Sequence, residues 1–258
     1  MAPSSPRRAH ARARRVYGQN FLSSAAALRT VLSAADLKPD DLVYEVGAGR
    51  GRLTSLLLAQ AGRVVAFEVD PAVAAALPAD PGLEVRVADF LRAVPPPSPF
   101  AVVGNIPYAL TSAVVDWCLA APTLQAATLV TQLEYARKRT GDYGHWSRLT
   151  ILTWPTHSWE LAGRIPRTAF RPVPRVDGGV LRLVHREIPL VSLTDLGTYR
   201  SFVECGFTGV GGSLSASLSQ RYGRRRVGAA FRACRLSDRV PVGLVWPEQW
   251  LTLFRLIC

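Results

Sequence analysis

Leu42-Val43-Tyr44-Glu45-Val46-Gly47-Ala48-Gly49-Arg50-Gly51 is an apolar run that gives way to alternating glycines. Its first half has the length and the Val/Leu content of a buried strand, and the glycines free the backbone for a tight turn. An apolar segment with helical period, Leu53 to Ala61, comes next. Strand, glycine turn and helix make the first crossover of a doubly wound α/β sheet. In such sheets ligands lie across the carboxyl ends of the strands.

The glycine spacing separates ligand classes. A dinucleotide fingerprint beginning at Gly47 needs glycine at position 52, where Arg52 stands. The pattern E-x-G-x-G-x-G fits S-adenosylmethionine, whose methionine end needs close backbone approach but brings no pyrophosphate to the helix terminus. Working outward, Val64 to Glu68 is a second strand. Glu68, roughly twenty residues past the glycines, can accept ribose hydroxyls, or can be an ordinary surface carboxylate at a strand end. Leu83 to Val87 is a third strand, after which Asp89 either accepts the cofactor adenine's amino hydrogen or caps a helix. Phe100 to Val103 is the fourth, and it delivers Gly104-Asn105-Ile106-Pro107-Tyr108. Gly47, Glu68, Asp89 and Asn105 thus fall just past the ends of successive strands.

A carboxamide, a proline and an aromatic ring at a strand mouth suit adenine chemistry. The Asn105 side-chain oxygen and the backbone carbonyl of Ile106 or Pro107 can accept the two hydrogens of an amino group while Tyr108 covers the base. Asn is neutral, so its work is orientation and charge stabilisation. The plainer reading is a proline turn beside a buried Tyr. Downstream the pattern predicts a helix over Thr111–Ala120, a strand over Ala126–Val130 and a helix over Gln132–Arg139, then a loop over Thr140–His145. Strands follow at Thr156–Leu161 and Val180–His185. Between them Phe170 to Asp177 is extended, because each proline disfavours helix at the residue before it. Phe170 is either the second aromatic face of a flipped-base pocket or a core residue.

A chain of 258 residues with 48% hydrophobic content fits one catalytic domain and a smaller one. The expected division is a basic disordered arm at 1–16, an α/β domain at 17–187 and short helices at 188–258, broken by glycines. A net charge of +12 points to a polyanionic partner. Its arginines cluster at Arg7, Arg8, Arg12, Arg14 and Arg15 and again at Arg221, Arg224, Arg225 and Arg226. Cys118, Cys205, Cys234 and Cys258 are widely spaced, which suits reduced thiols in a cytoplasmic protein and neither a disulfide frame nor a metal site. No apolar run approaches the ~20 residues of a membrane span.

Taken together, Gln19-Asn20-Phe21-Leu22, Glu45 through Gly51, Asn105-Ile106-Pro107-Tyr108, Gln132-Leu133-Glu134-Tyr135-Ala136 and Phe170 through Asp177 resemble the rRNA adenine N6-methyltransferases. The resemblance spans residues 17 to 185, with the motifs in the family's order. Ile106 and the long basic arm are more similar to the Erm branch, which methylates one adenine of 23S rRNA and confers macrolide, lincosamide and streptogramin B resistance. It implies a Rossmann-like S-adenosylmethionine-dependent methyltransferase sheet with a small C-terminal helical domain that binds RNA. It further implies that Asn20, Leu22, Gly47, Glu68, Asp89 and Asn105 contact the cofactor, that Asn105 and Pro107 face the target amine, and that Tyr108 stacks on the base. The implied partner is 23S rRNA, free or in an early ribosomal precursor, met by a monomer. Gly178 stands where the family motif usually continues with Ser. The alternatives are a 16S rRNA adenine dimethyltransferase and a non-catalytic RNA-binding factor on the same scaffold; a DNA adenine methyltransferase would need Pro where Ile106 stands.

Overall fold

A two-residue strand, β1 (Phe21–Leu22), leads into α1 (Ala25–Ala35), whose first turn is capped by Ser24 accepting the Ala27 N–H at 3.4 Å. The computed structural model describes residues 20–258. The basic arm and Gln19 lie outside the described residues. The glycine-ended run folds as β2 (Leu42–Val46), a turn and α2 (Arg52–Leu58). The helix stops short of Ala61 because the chain must turn back beneath Pro39: a Cβ on Gly62 would lie 2.5 Å from the Pro39 carbonyl oxygen.

There follow β3 (Arg63–Glu68), α3 (Pro71–Ala74), β4 (Leu83–Val87), β5 (Phe100–Asn105), α4 (Thr111–Ala120) and β6 (Leu124–Gln132). Then come α5 (Leu133–Thr140), α6 (Arg148–Thr153), β7 (His157–Ile165), β8 (Phe170–Arg171) and β9 (Gly178–His185). The chain ends with α7 (Leu196–Gly206), α8 (Leu214–Tyr222), α9 (Arg224–Ala233) and α10 (Pro247–Ile257). The main sheet runs β4-β3-β2-β5-β6-β9-β7. Neighbours from β4 to β6 are parallel, and β9 is antiparallel to β6. Winding reverses between β2 and β5, and a crevice opens there at the strands' carboxyl ends.

Side chains alternate across β2, which decides what each face packs. Val43 joins Leu28, Val31 and Leu32 of α1 and Leu53 and Leu57 of α2 in one core cluster. Each fully buried Val or Leu there contributes about 1.5–3 kcal/mol. Tyr44 turns to the other face, where a chain of rings through Phe67, Phe90, Phe100 and Trp117 has centroids 4.4 to 6.1 Å apart. Phe170 is wholly buried and packs in the cluster with α1, as the core alternative of its two readings expects. Its ring also accounts for Gly178: a Cβ there would come within 2.9 Å of it.

The chain divides into two units, one comprising residues through Ala136 together with Glu160–Val184, the other Arg137–Trp159 and His185–Cys258. The second unit therefore begins earlier in sequence than residue 188. Trp146 and Ile151 belong to its core with Tyr199, Phe202, Leu218 and Trp250, and the Tyr199 hydroxyl donates to the Ile151 carbonyl at 2.9 Å. Close approach within this core depends on Gly206, where a Cβ would lie 2.4 Å from the Trp250 ring.

Candidate active site

The glycine turn is held by β3. The N–H groups of Gly47 and Ala48 both donate to the Phe67 carbonyl, at 3.0 and 3.1 Å. Gly47, Gly49 and Gly51 all have positive φ, at 70°, 56° and 74°, a region that side chains with a Cβ enter only at a cost. Gly49 is needed twice over, because its missing Cβ would sit 3.0 Å from the Phe21 ring. At the next strand pair, a Cβ on Gly104 would meet the Val46 carbonyl oxygen at 2.7 Å, so only glycine lets β5 run this close to β2 just before Asn105.

Glu68 is buried and braces two loops at once: its carboxylate accepts the Gly49 N–H at 2.9 Å and the Asp70 N–H at 3.0 Å. Asp89 is exposed and caps a short 3₁₀ turn through one oxygen, which accepts the Leu91 N–H at 3.0 Å. That cap leaves the second oxygen available to a ligand, so capping and recognition are compatible in one carboxylate. The Asn105 side-chain N–H donates to the backbone carbonyl of Asn20 at 2.7 Å. With its nitrogen engaged, the amide presents its oxygen as an acceptor.

These residues share one cleft of about 440 Å³, lined by Asn20, Phe21, Val46, Gly47, Phe67, Glu68, Val69, Ala88, Asp89, Phe90, Asn105, Pro107, Ala109 and Leu110. Its apolar walls and few convergent polar groups are those of a small-ligand site. Asn20, Gly47, Glu68, Asp89, Asn105 and Pro107 are thus brought together. Leu22 is not among the lining residues; its side chain is buried in the α1 core, and it borders the neighbouring space under Gly47, Gly49 and Asn105. Tyr108 is not among them either. Its hydroxyl is buried with no hydrogen-bond partner among the described residues, and burial, with the Asp177 carboxylate nearby, pushes it up to about 12. Sequence reasoning did not single out Phe21, Val46, Phe67, Val69, Ala88, Ala109 or Leu110 as lining residues, and of these only Phe21 carried a signal, as an aromatic within a polar segment.

Behind the turn lies Glu45, 1% exposed, its carboxyl pushed up to about 7 by burial and by the neighbouring Glu68. The Thr54 hydroxyl donates to it at 2.6 Å and opposes that rise. This pair ties the start of α2 to the end of β2 beneath the glycines.

The fold is that of the Rossmann-like S-adenosylmethionine-dependent methyltransferases, carrying extra helices at the C-terminus. Within that class the chain matches the ribosomal RNA adenine dimethylase family over residues 10–258, and it belongs to that family. It is 53% identical over 250 residues to an rRNA adenine N-6-methyltransferase of Streptomyces fradiae, a match covering 95% of this chain and 78% of the relative. The crystal structure of the 23S rRNA methyltransferase ErmE superposes with a TM-score of 0.90 at 50% identity, covering 92% of this chain and 99% of that one. Ribosomal RNA small subunit methyltransferase A of Thermobifida fusca is more distant, 35% identical over 86% of this chain and 82% of its own length.

Proposed function

We propose that this protein methylates N6 of one adenine in 23S rRNA from S-adenosylmethionine and so confers macrolide, lincosamide and streptogramin B resistance. The observation that carries this reading is the Asn105 amide, fixed by Asn20 at the mouth of the cleft that also holds Gly47, Glu68 and Asp89. Higher identity to the 23S rRNA methyltransferase than to the small-subunit enzyme supports the choice of RNA. The site is suited to the donor: Asp89 has an oxygen outside its cap that can accept an amino hydrogen, Glu68 lines the cleft with a carboxylate that can accept ribose hydroxyls, and Gly47 offers backbone without a Cβ. When bound, S-adenosylmethionine supplies an electrophilic methyl group on a sulfonium that leaves as a neutral thioether.

The residues of the chain do the rest. The Asn105 oxygen and the backbone carbonyl at Ile106 or Pro107 accept the two hydrogens of the adenine amine. They draw its lone pair out of the ring and toward the methyl carbon. Tyr108 lies against the base, and Leu22 contributes from the neighbouring space through its backbone. As nitrogen gains the methyl group it loses a proton to water, since no strong base is required of Asn105. The protein acts as a cytoplasmic monomer on 23S rRNA, free or in an early precursor. Its RNA-binding surface includes the exposed Arg221, Arg224, Arg225 and Arg226, and a groove of about 680 Å³ that Arg224 and Arg239 line with Asp238, Ser213, Ser219 and Gln220. Mass spectrometry and reverse-transcription stops on both ribosomal RNAs of an expressing host test the reading. Methylated adenine in 23S rRNA is expected, and its appearance only in 16S rRNA would overturn the assignment.

A further inference from the structure

The second unit exposes aromatic side chains on the loop before α6 and on the segment before α10. Trp246 is 54% exposed and Tyr143 44%; His145 is exposed as well. The Trp146 backbone N–H donates to the Gly243 carbonyl at 2.7 Å, and the Trp146 and Trp246 rings lie 5.5 Å apart between centroids. A Cβ on Gly243 would come 3.5 Å from the His145 Nδ1, so the loop before α6 and the segment before α10 meet here. A mobile exposed ring is ordinary on a protein surface, whereas an exposed indole held in place by a buried ring beneath it offers a fixed flat face.

The joint is rigid beneath. Gly141, at φ 69°, lets the loop backbone lie flat on Trp146, since a Cβ there would sit 2.5 Å from that indole. Trp146 packs in turn on Trp154, with centroids 5.6 Å apart. The Arg137 guanidinium lies 3.7 Å from the centre of the Tyr143 ring, and Arg148 is exposed at the start of α6. Asp142 is already paired with Arg137. A fixed, exposed indole face on a protein of net charge +12 matches an unpaired nucleobase on a polyanionic chain.

We propose that the exposed Trp246 ring, packed on Trp146, is a stacking platform for an unpaired base of the RNA substrate other than the base that is methylated. This rests on the reading of the substrate as RNA. Every base has a π face, so the platform recognises single-strandedness and not sequence.

The test uses the full chain and two synthetic RNAs of equal length, one a stem with an unpaired loop and the other fully duplexed. Trp246→Ala is expected to weaken loop RNA binding roughly tenfold and leave duplex binding unchanged. The slope of affinity against salt stays the same, because no phosphate contact is lost. Trp246→Phe retains most of the affinity but loses the quenching of indole emission that loop RNA causes in the wild type. Unchanged affinity in Trp246→Ala, equal losses on both RNAs, or equal quenching in wild type and Trp246→Phe overturns the proposal. The quenching comparison decides the matter even where Trp246→Ala lowers the melting temperature. Binding is read without methyl transfer, so a wild type that stacks on loop RNA yet methylates no 23S rRNA refutes the functional reading alone.

Discussion

The Asn105 side chain is tethered to the Asn20 carbonyl at 2.7 Å, across a sequence separation of 85 residues. The tether decides which end of the amide faces the cleft. Asn105→Ala removes both tether and acceptor, and is expected to lower methyl transfer by roughly a hundredfold or more while RNA affinity stays near that of the wild type. Asn105→Asp keeps an acceptor but loses the N–H that binds Asn20, so it too is expected to be slow. Single-turnover transfer of labelled methyl, measured beside RNA binding, checks both. Wild-type turnover in Asn105→Ala would exclude the assigned role.

Glu68 carries a second prediction, because it braces the glycine turn and lines the cleft. Glu68→Gln keeps the shape but replaces one acceptor oxygen with a donor that cannot receive the Gly49 N–H. Calorimetry with S-adenosylhomocysteine should show affinity reduced by roughly tenfold or more, as charge-assisted hydrogen bonds are worth about 1.5–3 kcal/mol. Retained affinity would mean that the carboxylate serves only the turn.

Gly104 tests the closeness of β2 and β5. Gly104→Ala forces a methyl group to within 2.7 Å of a backbone oxygen, and neither strand can give way without breaking its ladder. A loss of about 1–3 kcal/mol in denaturant unfolding is expected. Displacement of β5 also moves Asn105, so activity should fall further than stability alone explains.

Glu45 predicts a pH dependence. Its folded-state value is raised from 4.5 to about 7, so the folded protein favours the protonated carboxyl. Its stabilising contribution is complete below about pH 4.5 and is lost as pH rises through 7. Glu45→Gln mimics the protonated form, and above pH 8 it should be more stable than the wild type by on the order of 3 kcal/mol, with the gap closing toward pH 5. Chemical denaturation at several pH values measures this. A gap that widens on acidification would contradict it.

The central parallel strands of the first unit were legible because they bury both faces and read as short apolar runs, whereas the edge strand Leu83–Val87 was legible by its alternation of apolar and charged residues. Leu42–Val46 and Leu83–Val87 appear in the fold with the bounds their sequence implies, as does the helix Thr111–Ala120. Six-residue α6 was missed, since so short a helix leaves too little periodicity to register. Phe170 was ambiguous because a lone aromatic carries no address, and only the pairing of β1 with β8 buries it. The same pairing seats Phe21 on Gly49, a contact between distant segments that local pattern cannot reveal. Gly47, Glu68, Asp89 and Asn105 were readable because the crossover rule places strand ends together whatever the intervening loops.

One carboxylate receiving amides from two different loops has a kinetic consequence for whatever enters the cleft. Gly49 and Asp70 are already in position before any guest arrives, so little ordering remains to be done on arrival. Uptake of the methyl donor should therefore proceed without a slow conformational phase, and its rate should scale simply with encounter.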